Sequence, residues 1–110
     1  MKLFGVEMHE QDGGVRVEVS GEIDLSVIED LEGRLAPALE KAPDPLVLDL
    51  RRVEFLDSSG LRLLIALNEQ TAADGRRFAL VATGDPVTRV LELAGIDDRL
   101  EILSDPAELG

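Results

Sequence analysis

From Phe4 to Ser20 the chain alternates apolar and polar positions with a period of two. Phe4, Val6 and Met8 alternate with Gly5, Glu7 and His9, and Val15, Val17 and Val19 alternate with Arg16, Glu18 and Ser20. This pattern predicts two strands, each with one buried face, joined as an antiparallel hairpin through Gln11-Asp12-Gly13-Gly14. The period then lengthens. Ser26 followed by Glu29 has the form of a capping box, and Ile28, Leu31, Leu35 and Leu39 fall on one face of the helix it would open. Pro37 lies inside that helix, where its ring meets the carbonyl of Gly33, so a kink is expected there.

Pro43-Asp44-Pro45 ends the first helix, and Leu46-Val47-Leu48-Asp49-Leu50 reads as a buried central strand. After Arg51-Arg52-Val53-Glu54-Phe55-Leu56 a second helix is expected to begin at Asp57-Ser58-Ser59-Gly60 and to fade at Asp74-Gly75. It carries Leu61, Leu63, Leu64, Ile65, Ala66 and Leu67, apolar nearly all round, which predicts burial or a partner against that end. Phe78-Ala79-Leu80-Val81-Ala82 reads as another buried strand. Asp85 is expected to cap, and Pro86 to open, a third helix with Val87, Val90, Leu91 and Ala94 inward and Gly95 as its stop. Leu100-Glu101-Ile102-Leu103 reads as a last strand, and Asp105-Pro106-Ala107-Glu108 starts a helix too short to be stable alone. The order β-β-α-β-α-β-α-β predicts an α/β fold: a mixed, mostly parallel sheet with an N-terminal antiparallel hairpin and right-handed βα crossovers.

Composition narrows the function classes. The expectation is a single domain, 1–110, of a size that builds its own core. There is no cysteine, which removes disulfides, thiolate metal sites and thiol catalysis together. No stretch approaches the roughly 20 apolar residues of a membrane span, and the start has no targeting pattern, so a cytoplasmic location is expected. With 11 basic and 23 acidic side chains the formal charge is −12, and the arginines are scattered singly or in the pairs Arg51-Arg52 and Arg76-Arg77. Neither nucleic acid nor an anionic membrane is expected as a partner, because both need clustered cations. The acidity serves either solubility or attraction to a basic protein surface. Three phenylalanines, with no tyrosine or tryptophan, are too few for a base-stacking platform.

Loops leaving the C-terminal ends of parallel strands are where such sheets collect function. Gly21-Glu22-Ile23-Asp24 and Asp57-Ser58-Ser59-Gly60 are two such loops, and they share one sheet edge if strands two and three are neighbours. The second has the chemistry of a helix cap, in which Asp and Ser accept from unpaired backbone N–H groups and stabilise by about 1 kcal/mol. A plain cap accounts for those residues. The same N–H groups and helix dipole would also tolerate a phosphate on Ser58, which adds about 1.5 to 2 negative charges beside Asp57.

Catalysis finds little footing. Serine catalysis needs a base in reach, and the one histidine, His9, falls on the polar face of the first strand. Asp97-Asp98 and Glu29-Asp30 fall on a loop and a helix as solvated carboxylates, and Gly13-Gly14 is a hairpin turn rather than a phosphate-binding loop. No catalytic residue, cofactor or metal site is expected. A phosphorylated Asp57 in the manner of response-regulator receivers is disfavoured, because the chain has only Lys2 and Lys41 and no acidic pair after its first strand.

Gly21-Glu22-Ile23-Asp24, Leu48-Asp49-Leu50 and Val53-Glu54-Phe55-Leu56-Asp57-Ser58-Ser59-Gly60-Leu61 are similar to the signature segments of STAS-domain anti-sigma factor antagonists. The resemblance spans nearly the whole chain, through Gly75 and Val90-Leu91-Glu92-Leu93-Ala94-Gly95-Ile96. It implies the STAS fold and a bacterial partner-switching cycle. The unphosphorylated protein would bind an anti-sigma factor that is also a serine kinase, and so release a sigma factor. The kinase would phosphorylate Ser58, and a serine phosphatase of the metal-dependent type would reset it. Asp24, Asp57, Ser59, Gly60 and Leu61 would form the partner-binding surface around Ser58. Pro37 within helix one and the short C-terminal helix depart from the family pattern. The same fold also serves as a scaffold or accessory subunit of signalling assemblies and lipid-transport ABC systems, without a phosphoswitch, and that alternative stays open at this point.

Overall fold

The valines of the first hairpin set the direction of the whole sheet. The computed structural model describes residues 4–11, 13–83 and 85–109, without the side chains of Gln11, Asp85 and Leu109. Strands β1 (Phe4–Gln11) and β2 (Gly14–Ile23) pair antiparallel, with Val6 opposite Val19 and Met8 opposite Val17. β3 (Leu46–Leu56), β4 (Phe78–Val81) and β5 (Ile102–Leu103) follow in parallel, giving a five-stranded sheet in the order β1-β2-β3-β4-β5. The mixed, mostly parallel α/β architecture read from the sequence is the observed one. The hairpin residue Asp12, Gly84 and the expected capping side chain of Asp85 lie outside the described residues.

Three helices, α1 (Leu25–Glu40), α2 (Ser58–Ala73) and α3 (Asp85–Ala94), supply one core with the sheet. Val17, Val19, Leu48, Leu80, Leu35, Leu64 and Leu91 meet in it, all almost wholly buried. Truncating such a leucine to alanine costs about 2–5 kcal/mol, because the cavity left behind closes only in part. The other sheet face is divided. Val47, Ala79, Val81 and Leu103 form a small second apolar cluster, whereas the register places Arg16, Glu18 and Asp49 on that face towards the hairpin.

Several local expectations are corrected. Ser26 does not cap α1; Asp24 does, accepting from the Ser26 backbone N–H at 3.0 Å, and Ser26 sits inside the first turn. A one-residue carboxylate side chain can reach N–H groups two positions on, so Asp24 outcompetes the Ser26–Glu29 box. The buried stripe of α1 is Val27, Leu31, Leu35 and Ala38, with Ile28 and Leu39 only partly buried beside it. The helix continues through Pro37 to Glu40. Gly33 and Pro37 both lie on the exposed side, where water can satisfy the carbonyl that proline leaves without a donor.

β3 runs six residues beyond Leu50, to Leu56, because β2 continues beside it after the pairing with β4 has ended at Asp49. Conversely β5 is only Ile102–Leu103, and Leu100 and Glu101 precede it. α3 buries Val87 and Leu91, but Ala94 is exposed rather than inward. Its end follows the expectation: Gly95 has φ +72°, and Gly95 and Ile96 donate to the carbonyls of Glu92 and Leu91. The C-terminal helix start is a 3-10 turn at Pro106–Leu109, begun by the Asp105 carboxylate accepting from Ala107 N–H at 2.8 Å.

Candidate functional site

The site depends on where two neighbouring strands stop. β2 and β3 are out of simple step between Glu18 and Ser20 and again between Gly21 and Glu22, and Gly21 takes φ +92° there. A bulge of this kind inserts or skips a residue and bends the strand, and glycine adopts the positive φ without steric cost. After it, Glu22 pairs with Phe55 and Ile23 with Leu56, so both strands end level. The Asp57 backbone N–H donates to the Ile23 carbonyl at 3.1 Å. The helices that follow, α1 and α2, therefore begin side by side.

Asp57 joins the two helix starts. Its Oδ1 accepts from the backbone N–H of Ser59 at 2.9 Å and of Gly60 at 3.2 Å, and from the Ser59 hydroxyl. Its Oδ2 accepts from the backbone N–H of Leu25, the first residue of α1, at 3.2 Å. Burial pushes the Asp57 carboxyl up, but the Ser59 hydroxyl and the N–H groups of Gly60, Ser59 and Leu25 outweigh it and hold the group below its ordinary range. Asp57 is thus an anion fixed at the head of two helices.

The structure brings the sequence-designated residues into one place. Ser58 is exposed at the first position of α2, Ser59 and Leu61 are half-buried, and Gly60 is buried. A Cβ at Gly60 would lie 2.3 Å from Leu56 Cδ1 and 3.1 Å from Ile23 Cγ2, so only glycine lets α2 start this close to the strand ends. Asp24 stands next to Leu25 on the facing loop and caps α1 through Ser26, whose hydroxyl also donates to Asp24 Oδ1 at 2.6 Å. One expectation changes. The N–H groups of Ser59 and Gly60, which the sequence left open to a phosphate, are already taken by Asp57.

Sequence reading missed two residues here. Leu25 is 77% exposed and Phe55 48% exposed, apolar side chains flanking the Asp57 junction. Leu25 falls at the first position of a helix, off its buried stripe, and that placement was readable once Asp24 was taken as the cap. Phe55 could not be read, because its face follows from the bulge in β3, where Glu54 is the extra residue against Gly21 and Glu22.

Chemically the edge presents a hydroxyl, two carboxylates and apolar side chains. The only histidine of the chain is elsewhere, on β1 against Glu7 and Glu18, and no base of that type stands beside Ser58. A groove of about 670 Å³ does open on the molecule, but it is lined by Phe4, Ser20, Arg52 and Val53, not by Ser58. Among the described residues no helix is long and apolar enough to cross a membrane.

The family described as "Mlab, STAS domain" matches residues 6–104. The anti-sigma-F factor antagonist RsfB of Mycobacterium tuberculosis is 33% identical over 99 residues, covering 90% of this chain and 80% of the relative. The crystal structure of an anti-sigma factor antagonist from Mycobacterium paratuberculosis superposes with a TM-score of 0.88 at 32% identity, covering 96% of this chain and 90% of that one. The Bacillus cell fate determinant SpoIIAA in its phosphorylated form shares the fold, with a TM-score of 0.69 at 20% identity over 97% of this chain and 96% of that one. By the breadth of the family match and the identity to RsfB, this chain belongs to the STAS-domain family, which includes the anti-sigma factor antagonists.

Proposed function

We propose that the whole chain acts as one cytoplasmic domain, an anti-sigma factor antagonist that works by binding rather than catalysis. Its unphosphorylated form binds an anti-sigma factor that is also a serine kinase, which frees a sigma factor. Phosphorylation of Ser58 ends that contact, and a serine phosphatase of the metal-dependent type restores it. Asp24, Asp57, Ser59, Gly60 and Leu61 belong to the docking surface. The names of the relatives support the partner class.

The observation that carries the reading is the exposed Ser58 beside an Asp57 carboxylate that already occupies the neighbouring N–H donors. A phosphate on Ser58 adds about 1.5 to 2 negative charges next to an anion, with those donors unavailable to neutralise it. A partner seated there would have to desolvate that charge, which costs more than the contact returns.

The test is reconstitution with a purified anti-sigma kinase and ATP. Ser58→Ala should bind the kinase and take up no phosphate, and Ser58→Asp should bind more weakly than the native chain. Phosphate uptake by Ser58→Ala would move the site elsewhere. The second reading, a scaffold or an accessory subunit of a lipid-transport ABC system, has the Mlab description of the matching family in its favour. It requires a partner whose affinity is the same for native chain and Ser58→Asp.

A further inference from the structure

Away from the Ser58 edge, Glu7 of β1 stands directly opposite Glu18 of β2. Two like charges in that relation cost stability unless something neutralises them. His9, the next residue on the same face of β1, directs Nε2 at both carboxylates, 3.5 Å from Glu18 Oε1 and 4.0 Å from Glu7 Oε2. The ring is 40% exposed, yet that nitrogen is shielded from solvent and has no hydrogen-bond partner. The three donor atoms lie within 4.8 Å of one another.

We propose that Glu7, His9 and Glu18 form a binding site for a divalent cation of the zinc type. Ligands bonded at about 2.0–2.2 Å around a tetrahedral ion are separated by about 3.4 Å. His9 Nε2 lies 3.5 and 4.0 Å from the two carboxylate oxygens and all three atoms are within 4.8 Å of one another, so a small side-chain movement closes the set. One imidazole nitrogen with two carboxylate oxygens suits zinc and its borderline neighbours, whereas magnesium and calcium prefer oxygen alone. Glu7 is 74% exposed, which leaves a fourth position open to water. Arg16 also bonds Glu18, and it lies 3.5 Å from the buried Asp49 carboxylate, which can hold the guanidinium when Glu18 turns to the metal. The ion cancels the Glu7–Glu18 repulsion and fastens the edge strand β1 to β2, so its binding stabilises the folded chain.

The test uses this 110-residue chain without a tag, in which His9 is the only histidine, titrated with Zn²⁺ at neutral pH by calorimetry and followed by NMR of the His9 ring. The expected result is one ion per chain, a shift of the His9 Nε2 resonance and a raised Tm, with no competition from Mg²⁺. His9→Ala should abolish the binding, and Glu7→Gln and Glu18→Gln should each weaken it about tenfold or more. Where His9→Ala folds poorly, the exposed Glu7→Gln carries the comparison. Absence of binding, or equal binding by His9→Ala or by Glu7→Gln, overturns the proposal; equal binding means an adventitious ion only.

Discussion

The Asp57 carboxylate reaches across the sheet edge to the backbone N–H of Leu25, 3.2 Å away and 32 residues earlier in the chain. With its other oxygen it caps its own helix. One side chain thereby sets the starting points of α1 and α2 together, and the exposed Ser58 and Leu25 are held in fixed relation. A surface that must be recognised by a partner gains from such fixing, because less order has to be imposed on binding.

Replacing Asp57 separates its two tasks. Asparagine keeps a carbonyl oxygen for the α2 cap but turns an N–H₂ towards the Leu25 N–H. Asp57→Asn should cost about 1 kcal/mol, and Asp57→Ala, which loses both, up to about 2 kcal/mol. Urea unfolding checks the ranking. Equal losses for the two variants would mean that the cap oxygen which asparagine retains contributes nothing, and no loss for Asp57→Asn would mean the same of the Leu25 contact.

Acid should erase the difference. Asp57 has a folded pKa below its ordinary value, so the unfolded chain binds the proton first as pH falls. The stability from the carboxylate is therefore complete above about pH 5 and is lost as pH drops below about 4, through the folded value. Asp49 behaves alike: burial raises it, but hydrogen bonds from Arg51 and the charge of Arg16 prevail and lower it. The gap in unfolding free energy between native chain and Asp57→Asn should thus narrow from pH 7 to pH 3. A gap that holds constant would show that the charge is not what matters.

Gly60→Ala should destabilise by about 1–3 kcal/mol, since the new methyl group enters space held by Leu56 and Ile23. Both neighbours are almost fully buried and have little room to shift. Shortening Leu56 to valine in the same chain should recover part of the loss. A double variant no better than the sum of its parts would exclude this steric cause.

Leu25→Ala and Phe55→Ala should leave Tm nearly unchanged, because both side chains are substantially exposed. Binding to the proposed anti-sigma kinase should nevertheless weaken about tenfold for Leu25→Ala, whose backbone N–H is held by Asp57, the residue before Ser58. Surface plasmon resonance with the purified kinase measures this. Unchanged affinity for both variants would place the docking surface away from this edge.

Periodicity and caps carried a good deal of the architecture. The valines from Val15 to Val19 specified a half-buried strand, the Asp57 cap specified where α2 begins, and Gly95 specified where α3 ends, because each is a property of residues close in the chain. The resemblance of residues 53–61 to a known family supplied the fold and its class of partner. Only the tertiary structure decided that Asp24 rather than Ser26 caps α1, that β3 extends to Leu56, and that Gly60 has no room for a methyl group. The last two of these depend on the register of β2 and β3 past Gly21, which brings Ile23 level with Leu56. The second oxygen of Asp57 finds Leu25 for the same reason, since hydrogen bonds between distant residues are set by the register of the strands that bring them together, which no local pattern encodes.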